Sequence, residues 1–163
     1  MKKRLICILM LAAMLFASAA QAKQVPALSE DLYTCAKLAV GYLASGAYDK
    51  VVTTLPFSDV SPSAKEWKNF AERSFTTLSG ALPQKIYAVS YWTGNAWKIA
   101  VPVFDPIKND VETLELTSED GISFNGYNFA QWGQVVAAYQ ASPYVAWNQE
   151  FIASTSVFIE NDY

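Results

Sequence analysis

The side chains able to do chemistry are few, and an absence comes first: none of the 163 residues is histidine. Ser-His-Asp and Cys-His catalysis, histidine metal sites and imidazole proton shuttles are therefore excluded. Proton transfer would need a carboxyl group with a raised pKa beside a tyrosine donor. Asp49, Asp59 and Asp105 are the acids considered for that role. Cys35, between Leu32 and Ala39 on an apolar stripe, reads as a packed thiol, because a nucleophilic one needs an electropositive, partly exposed place. No G-x-S-x-G, S-x-x-K, P-loop, G-x-G-x-x-G or EF-hand pattern occurs. The expectation is no catalytic residue, no metal and no cofactor.

Two other groups attract attention. Asp105, Asp110, Glu112, Glu115, Glu119 and Asp120 stand close together, with Lys108 the lone cation among them. Carboxylate oxygens suit divalent cations, yet this spacing matches no ligand loop. The reading is an acidic patch of Asp105, Asp110, Glu112 and Glu115 on an exposed edge strand that discourages edge-to-edge pairing. The second group is aromatic. Tyr87, Tyr91 and Lys98 share one face of a hairpin with Val89, Ala100 and Pro102, and Trp92 and Trp97 flank its turn. An apolar, tyrosine-bearing sheet face either meets a partner or lies under the chain's C-terminal elements.

These residues need elements to place them. Residues 86–92 and 97–104 flank Thr93-Gly94-Asn95-Ala96, and Gly-Asn is a two-residue hairpin signal. Centring the turn there pairs Ala88 with Val101, Ser90 with Ile99 and Trp92 with Trp97 on the core face. The other face pairs Tyr87 with Pro102, Val89 with Ala100 and Tyr91 with Lys98. Pro102 has no N–H for a ladder bond and marks an edge or a bulge. Upstream, Leu32, Cys35/Ala36, Ala39/Val40 and Leu43 repeat helically between a Ser29 cap and Ser45-Gly46. A short helix over 48–55 follows. A third opens with the capping box Ser63-Ala64-Lys65-Glu66 and runs through Trp67, Phe70, Phe75 and Leu78 to Gly80. Beyond the hairpin, strands are expected at 111–117, 122–124, 144–153 and 156–160, and a helix from an Asn128 cap to Ser142. The fold class is α+β, with N-terminal helices packed on one face of a curved antiparallel sheet.

The first 22 residues read as a cleavable export signal. Lys2-Lys3-Arg4 precede an apolar run over 5–16, and Ala20-Gln21-Ala22 offers a cleavage site. That run is too short for a membrane anchor. Residues 23–163 then form a single domain in the periplasm or the medium. The leader holds three cations and no acid, so nine Lys+Arg face 15 Asp+Glu in the remainder, a net charge of −6. Nucleic acid is a poor partner for such a chain, and no stable membrane insertion is expected after cleavage.

The run Tyr42-Leu43-Ala44-Ser45-Gly46-Ala47-Tyr48-Asp49-Lys50-Val51-Val52, with the Glu66-Trp67 helix and the Leu78-Ser79-Gly80 exit, resembles small exported bacterial domains of the NTF2-like (cystatin-like) group. The resemblance implies a cone-like fold with a cavity between helices and curved sheet, and dimers formed through the sheet. Such folds host many functions. The preferred expectation is a non-catalytic binding domain that meets a protein partner or a second copy through the Tyr87/Tyr91 face. One alternative is a small-molecule binder or histidine-independent enzyme with a cavity between helices and sheet. Another is an acidic inhibitor or immunity-type protein that blocks a basic envelope partner by electrostatic steering.

Overall fold

The stripe from Leu32 to Leu43 forms helix α1, Glu30–Ala44, in the computed structural model, which describes residues 24–74, 88–105 and 110–146. Ser29 caps it, its hydroxyl accepting from the Asp31 N–H at 3.2 Å. Past its end Gly46 takes φ 71°, a conformation open to glycine and strained for other residues. Helix α2 is Tyr48–Thr54 and α3 is Ala64–Ser74. The expected capping box opens α3: the Ser63 N–H and hydroxyl both donate to Glu66 Oε2 at 2.7 Å, and the Glu66 N–H donates back to Ser63 Oγ at 3.3 Å. The export signal, the expected continuation of α3 through Phe75 and Leu78, and the strands at 147–153 and 156–160 lie outside the described residues.

Four strands follow as an antiparallel meander: β1 Val89–Trp92, β2 Trp97–Asp105, β3 Asp110–Ser118 and β4 Gly126–Gln131. Helix α4, Trp132–Ala141, then leads to β5, Val145–Ala146, which pairs with the other side of β1. The strand order is β4-β3-β2-β1-β5, and every pairing is antiparallel. The hairpin register is the expected one, with Val89 opposite Ala100, Ser90 opposite Ile99, Tyr91 opposite Lys98 and Trp92 opposite Trp97. The fold is α+β.

One sheet face carries Ala88, Trp92, Trp97, Ile99, Val101, Leu114 and Leu116 against α1–α3, in a core that includes Leu32, Val40, Val51 and Trp67. Tyr33 of α1 donates its hydroxyl to the Ala88 carbonyl at 3.0 Å, tying the helix layer to β1. These are the N-terminal helices on one sheet face that the periodicity implied.

The other face has a cover of its own. All neighbours are antiparallel, so β4 and β5 run the same way at opposite edges, four strand spacings or about 19 Å apart. β4 ends at Gln131 beside Glu112, away from the β1–β2 turn, whereas β5 begins at Val145 beside Tyr91, near that turn, so α4 between them crosses this face on a diagonal. Val135 of α4 is buried against Val89, Tyr91 and Ala100, with Ala130, Trp132 and Tyr139 packed around them.

Three expectations change. Asn128 is no helix cap: it sits inside β4 opposite Glu115, because Gly126–Gln131 zips onto β3 before the helix starts at Trp132. Residues 122–124 form no strand beyond the single parallel bridge of Phe57 with Phe124. Pro102 lies in β2, opposite Thr113 of an adjacent strand, rather than on an edge.

Candidate functional site

Alternation along β3 sends Leu114 and Leu116 into the first core and Thr113, Glu115 and Thr117 to the second face. Register does the rest. Lys98 of β2 lies between Tyr91 of β1 and Thr117 of β3, and Glu115 is one diagonal step away. The side chains close into a network. Tyr91 donates its hydroxyl to Glu115 Oε2 at 2.7 Å, and Lys98 Nζ meets Glu115 Oε1 at 2.9 Å. The same ammonium donates to Thr117 Oγ1, also at 2.9 Å.

The electrostatics follow from burial. Tyr91 is 3% exposed and Glu115 8%, while the Lys98 side chain keeps 24% of its surface. Burial, then the hydrogen bond to Glu115 and its negative charge, push the Tyr91 phenol well above the usual tyrosine range. Tyr91 is thus a neutral donor whose proton is already committed, unsuited to act as a base or nucleophile. Two residues along β3, the buried Thr113 hydroxyl makes no hydrogen bond among the described residues.

The Tyr91 face is therefore not open to a partner, as the preferred expectation required, because α4 crosses directly over it. Lys98 stays on the rim of that cover. Trp92 and Trp97 face the first core, their rings edge to face at 5.7 Å. Tyr87 lies outside the described residues.

The acidic run does not form one patch. β3 is interior, paired with β2 on one side and β4 on the other, so Glu112 and Glu115 are not on an edge strand. Glu115 is spent on Lys98 and Tyr91. Asp105 pairs with Asp110 at one end of the β2–β3 hairpin, whereas Asp120 follows the other end, eight steps or about 26 Å of strand away. There the Asp120 carboxylate accepts from the N–H groups of Ile122 and Ser123 at 2.9 and 2.8 Å and from the Ser123 and Ser118 hydroxyls at 2.6 and 3.1 Å. Partial burial works against its charge, but these four donors prevail and hold its pKa at about 2. Among the described residues no three His, Cys, Asp or Glu side chains stand close enough to hold a metal ion. Asp49 and Asp59 are exposed, which removes them as buried general acids; of Asp105, Asp110 and Glu112 the backbone alone is described. Cys35 is half-buried against the first core, and burial, then the Asp31 charge, raise its thiol pKa.

Sequence reasoning missed that Glu115 and Lys98 belong together, and it missed Thr117, Gly126 and Asn128. A signal for them was present. Val89 and Ala100 make the second hairpin face apolar, so it needed a cover, and any acid one strand over from Ala100 would lie beside that cover. α4 shields one diagonal of the face and leaves the corner of Lys98, Thr117, Gly126 and Asn128 less covered: Asn128 is exposed and the other three are half-buried, in contrast to the buried Val89, Tyr91 and Ala100.

No family model, curated protein or solved structure matches the chain. The geometry stands alone. Among the described residues no helix is long and apolar enough to cross a membrane.

Proposed function

We propose that this chain is an exported, non-catalytic binding domain whose recognition element is the open corner of the second sheet face at Lys98, Thr117 and Asn128. One observation carries the reading: an ion pair, Lys98 with Glu115, is built in beside the apolar cluster of Val89, Ala100 and Val135. Taking two charges out of water costs several kcal/mol per ion, and apolar replacements of similar volume are often as stable or more so. A device that stability alone does not favour, set at the edge of a cover with its ammonium reaching solvent, fits a site that meets a ligand. The absence of histidine and the committed Tyr91 proton argue against proton-transfer chemistry there.

Export rests on the leader, and N-terminal sequencing of the protein recovered outside the cytoplasm should begin at Lys23. The binding reading is tested by incubating the purified protein with cell-envelope material from the producing cell and measuring what sediments with it. The wild type and Lys65→Met, altered on the far helix layer, should be retained alike. Lys98→Met and Asn128→Ala should be lost to the supernatant. Equal retention of all four would overturn the reading.

A further inference from the structure

The junction between β4 and α4 has no loop. Gln131 is both the last residue of β4 and the cap of α4, and at φ −74° and ψ 135° its backbone is still extended. The helix starts at the next residue and runs back over the sheet toward Val145, beside Tyr91. Connections between elements usually take about two to six residues. Here the whole reversal falls on the step from Gln131 to Trp132.

The helix is held lightly at its destination. It contributes one fully buried side chain, Val135, to the second face and none to the first core, with Trp132 and Tyr139 half-buried beside it. Its start has no side-chain cap and no acid in the first turn, its end has no base in the last, and Gly133 lowers its helix propensity. Ser142 adds two hydrogen bonds to the Trp92 backbone. Among the described residues, β5 then pairs with β1 at Val145 and Ala146 alone. A peripheral segment fastened this way can open as a unit while the rest stays folded. The surface it uncovers, Val89, Tyr91 and Ala100, needs a cover. Its complement in shape is α4, and a second copy of the chain supplies an identical α4.

We propose that Trp132–Ala146 is an exchange arm: two copies of the chain trade it, each α4 covering the partner's second face and each β5 pairing with the partner's β1. Exchange remakes every contact of the closed chain, the Ser142 bonds included, and changes only the junction, which makes it a low-cost route to a two-fold dimer. The missing loop favours it, because in the exchanged form β4 no longer has to turn back on its own sheet. The inference goes beyond the binding reading and does not depend on it.

The test starts from the full chain freed of its own thiols by Cys7→Ala and Cys35→Ala. Ser90 and Ala146 are cross-strand partners, and the Cα spacing of antiparallel partners, about 4.5–5.5 Å, suits a disulfide. Adding Ser90→Cys and Ala146→Cys therefore locks β5 to whichever β1 it lies on. Concentrated protein is oxidised, sorted by gel filtration with light scattering, and run on a denaturing gel without reductant. A dimer should form, and its two chains should stay joined on the gel. Inserting Gly-Ser-Gly-Ser between Gln131 and Trp132 in the wild type gives the chain a loop to turn on and should raise the dimer Kd at least about tenfold. A chain that is monomeric at every concentration, a dimer whose disulfides lie within each chain, or an unchanged Kd after the insertion would each overturn the proposal. The disulfide result decides by itself if the insertion does not fold.

Discussion

At the scale of single residues, Tyr91 of β1 and Thr113 of β3, both on the second sheet face, make opposite predictions. The Tyr91 hydroxyl feeds a charged acceptor in a buried setting, and such bonds are worth about 1.5–3 kcal/mol. Tyr91→Phe should lower unfolding stability in urea by that amount. It should also flatten the alkaline limb: a phenol whose folded pKa is raised gives stability that is complete below the ordinary value of 10.0 and declines as pH climbs past it. Thr113→Val, by contrast, replaces a buried hydroxyl that makes no hydrogen bond with a methyl group of like shape, and should stabilise by about 1 kcal/mol in the same assay. Asp120 governs the acid side. Its folded pKa of about 2 lies below the ordinary 3.8, so its contribution is complete above the higher value and is lost as pH falls toward the lower. Solvent screens this exposed turn, which limits the effect to about 1 kcal/mol. Asp120→Asn should remove that share of the acid slope, and an acid transition identical to wild type would contradict the assignment.

At the scale of elements, the parts of the fold legible in the sequence are those set by near neighbours. The stripes of α1 and α3 repeat within a few turns, the Ser63–Glu66 cap is closed over three residues, and the β1–β2 register is dictated by a four-residue connection. What could not be read depends on distant pairing. Phe129, Trp132, Val135 and Tyr139 have a helical spacing, but β3 offers residues 126–131 a ladder, and the ladder prevails up to Trp132. Glu115 looked solvated because Thr113-Leu114-Glu115-Leu116-Thr117 alternates as a strand with one wet face would. Only the path of α4 from one sheet edge to the other places that face beside an apolar cover. The helix is held chiefly by Val135, its one fully buried side chain. Val135→Asp should therefore lift α4 and leave the first core folded. Its signature is spectrophotometric: the Tyr91 phenol should titrate nearer the ordinary tyrosine range while far-UV helicity falls only slightly. An unshifted phenol would show that α4 does not shield it.

At the scale of the whole molecule, both ends of the described chain fasten to one end of the sheet, where β1 turns into β2 and β3 leads toward β4. The N-terminal strap arrives through the Pro26 carbonyl, which accepts from Trp97 Nε1 at 2.8 Å, and through the Ser29 N–H, which donates to the Gly121 carbonyl at 2.8 Å. Gly121 has φ 79°, and a Cβ there would collide with the Ala27 carbonyl oxygen. The C-terminal connection arrives through Ser142, whose hydroxyl accepts from the Trp92 N–H at 3.1 Å and donates to the Trp92 carbonyl at 2.8 Å. Gly121→Ala should push the strap away and cost about 2 kcal/mol or more, since backbone strain adds to the collision. The residues that receive these two ends, Trp97 through its indole N–H and Trp92 through its backbone, carry the edge-to-face pair of rings. Two indoles held that close couple their electronic transitions, so the native protein should show an exciton couplet in its far-ultraviolet circular dichroism. Loss of the couplet in Gly121→Ala, with the helical signal kept, would report a loosened tip by light alone, making the clasp its own chromophore.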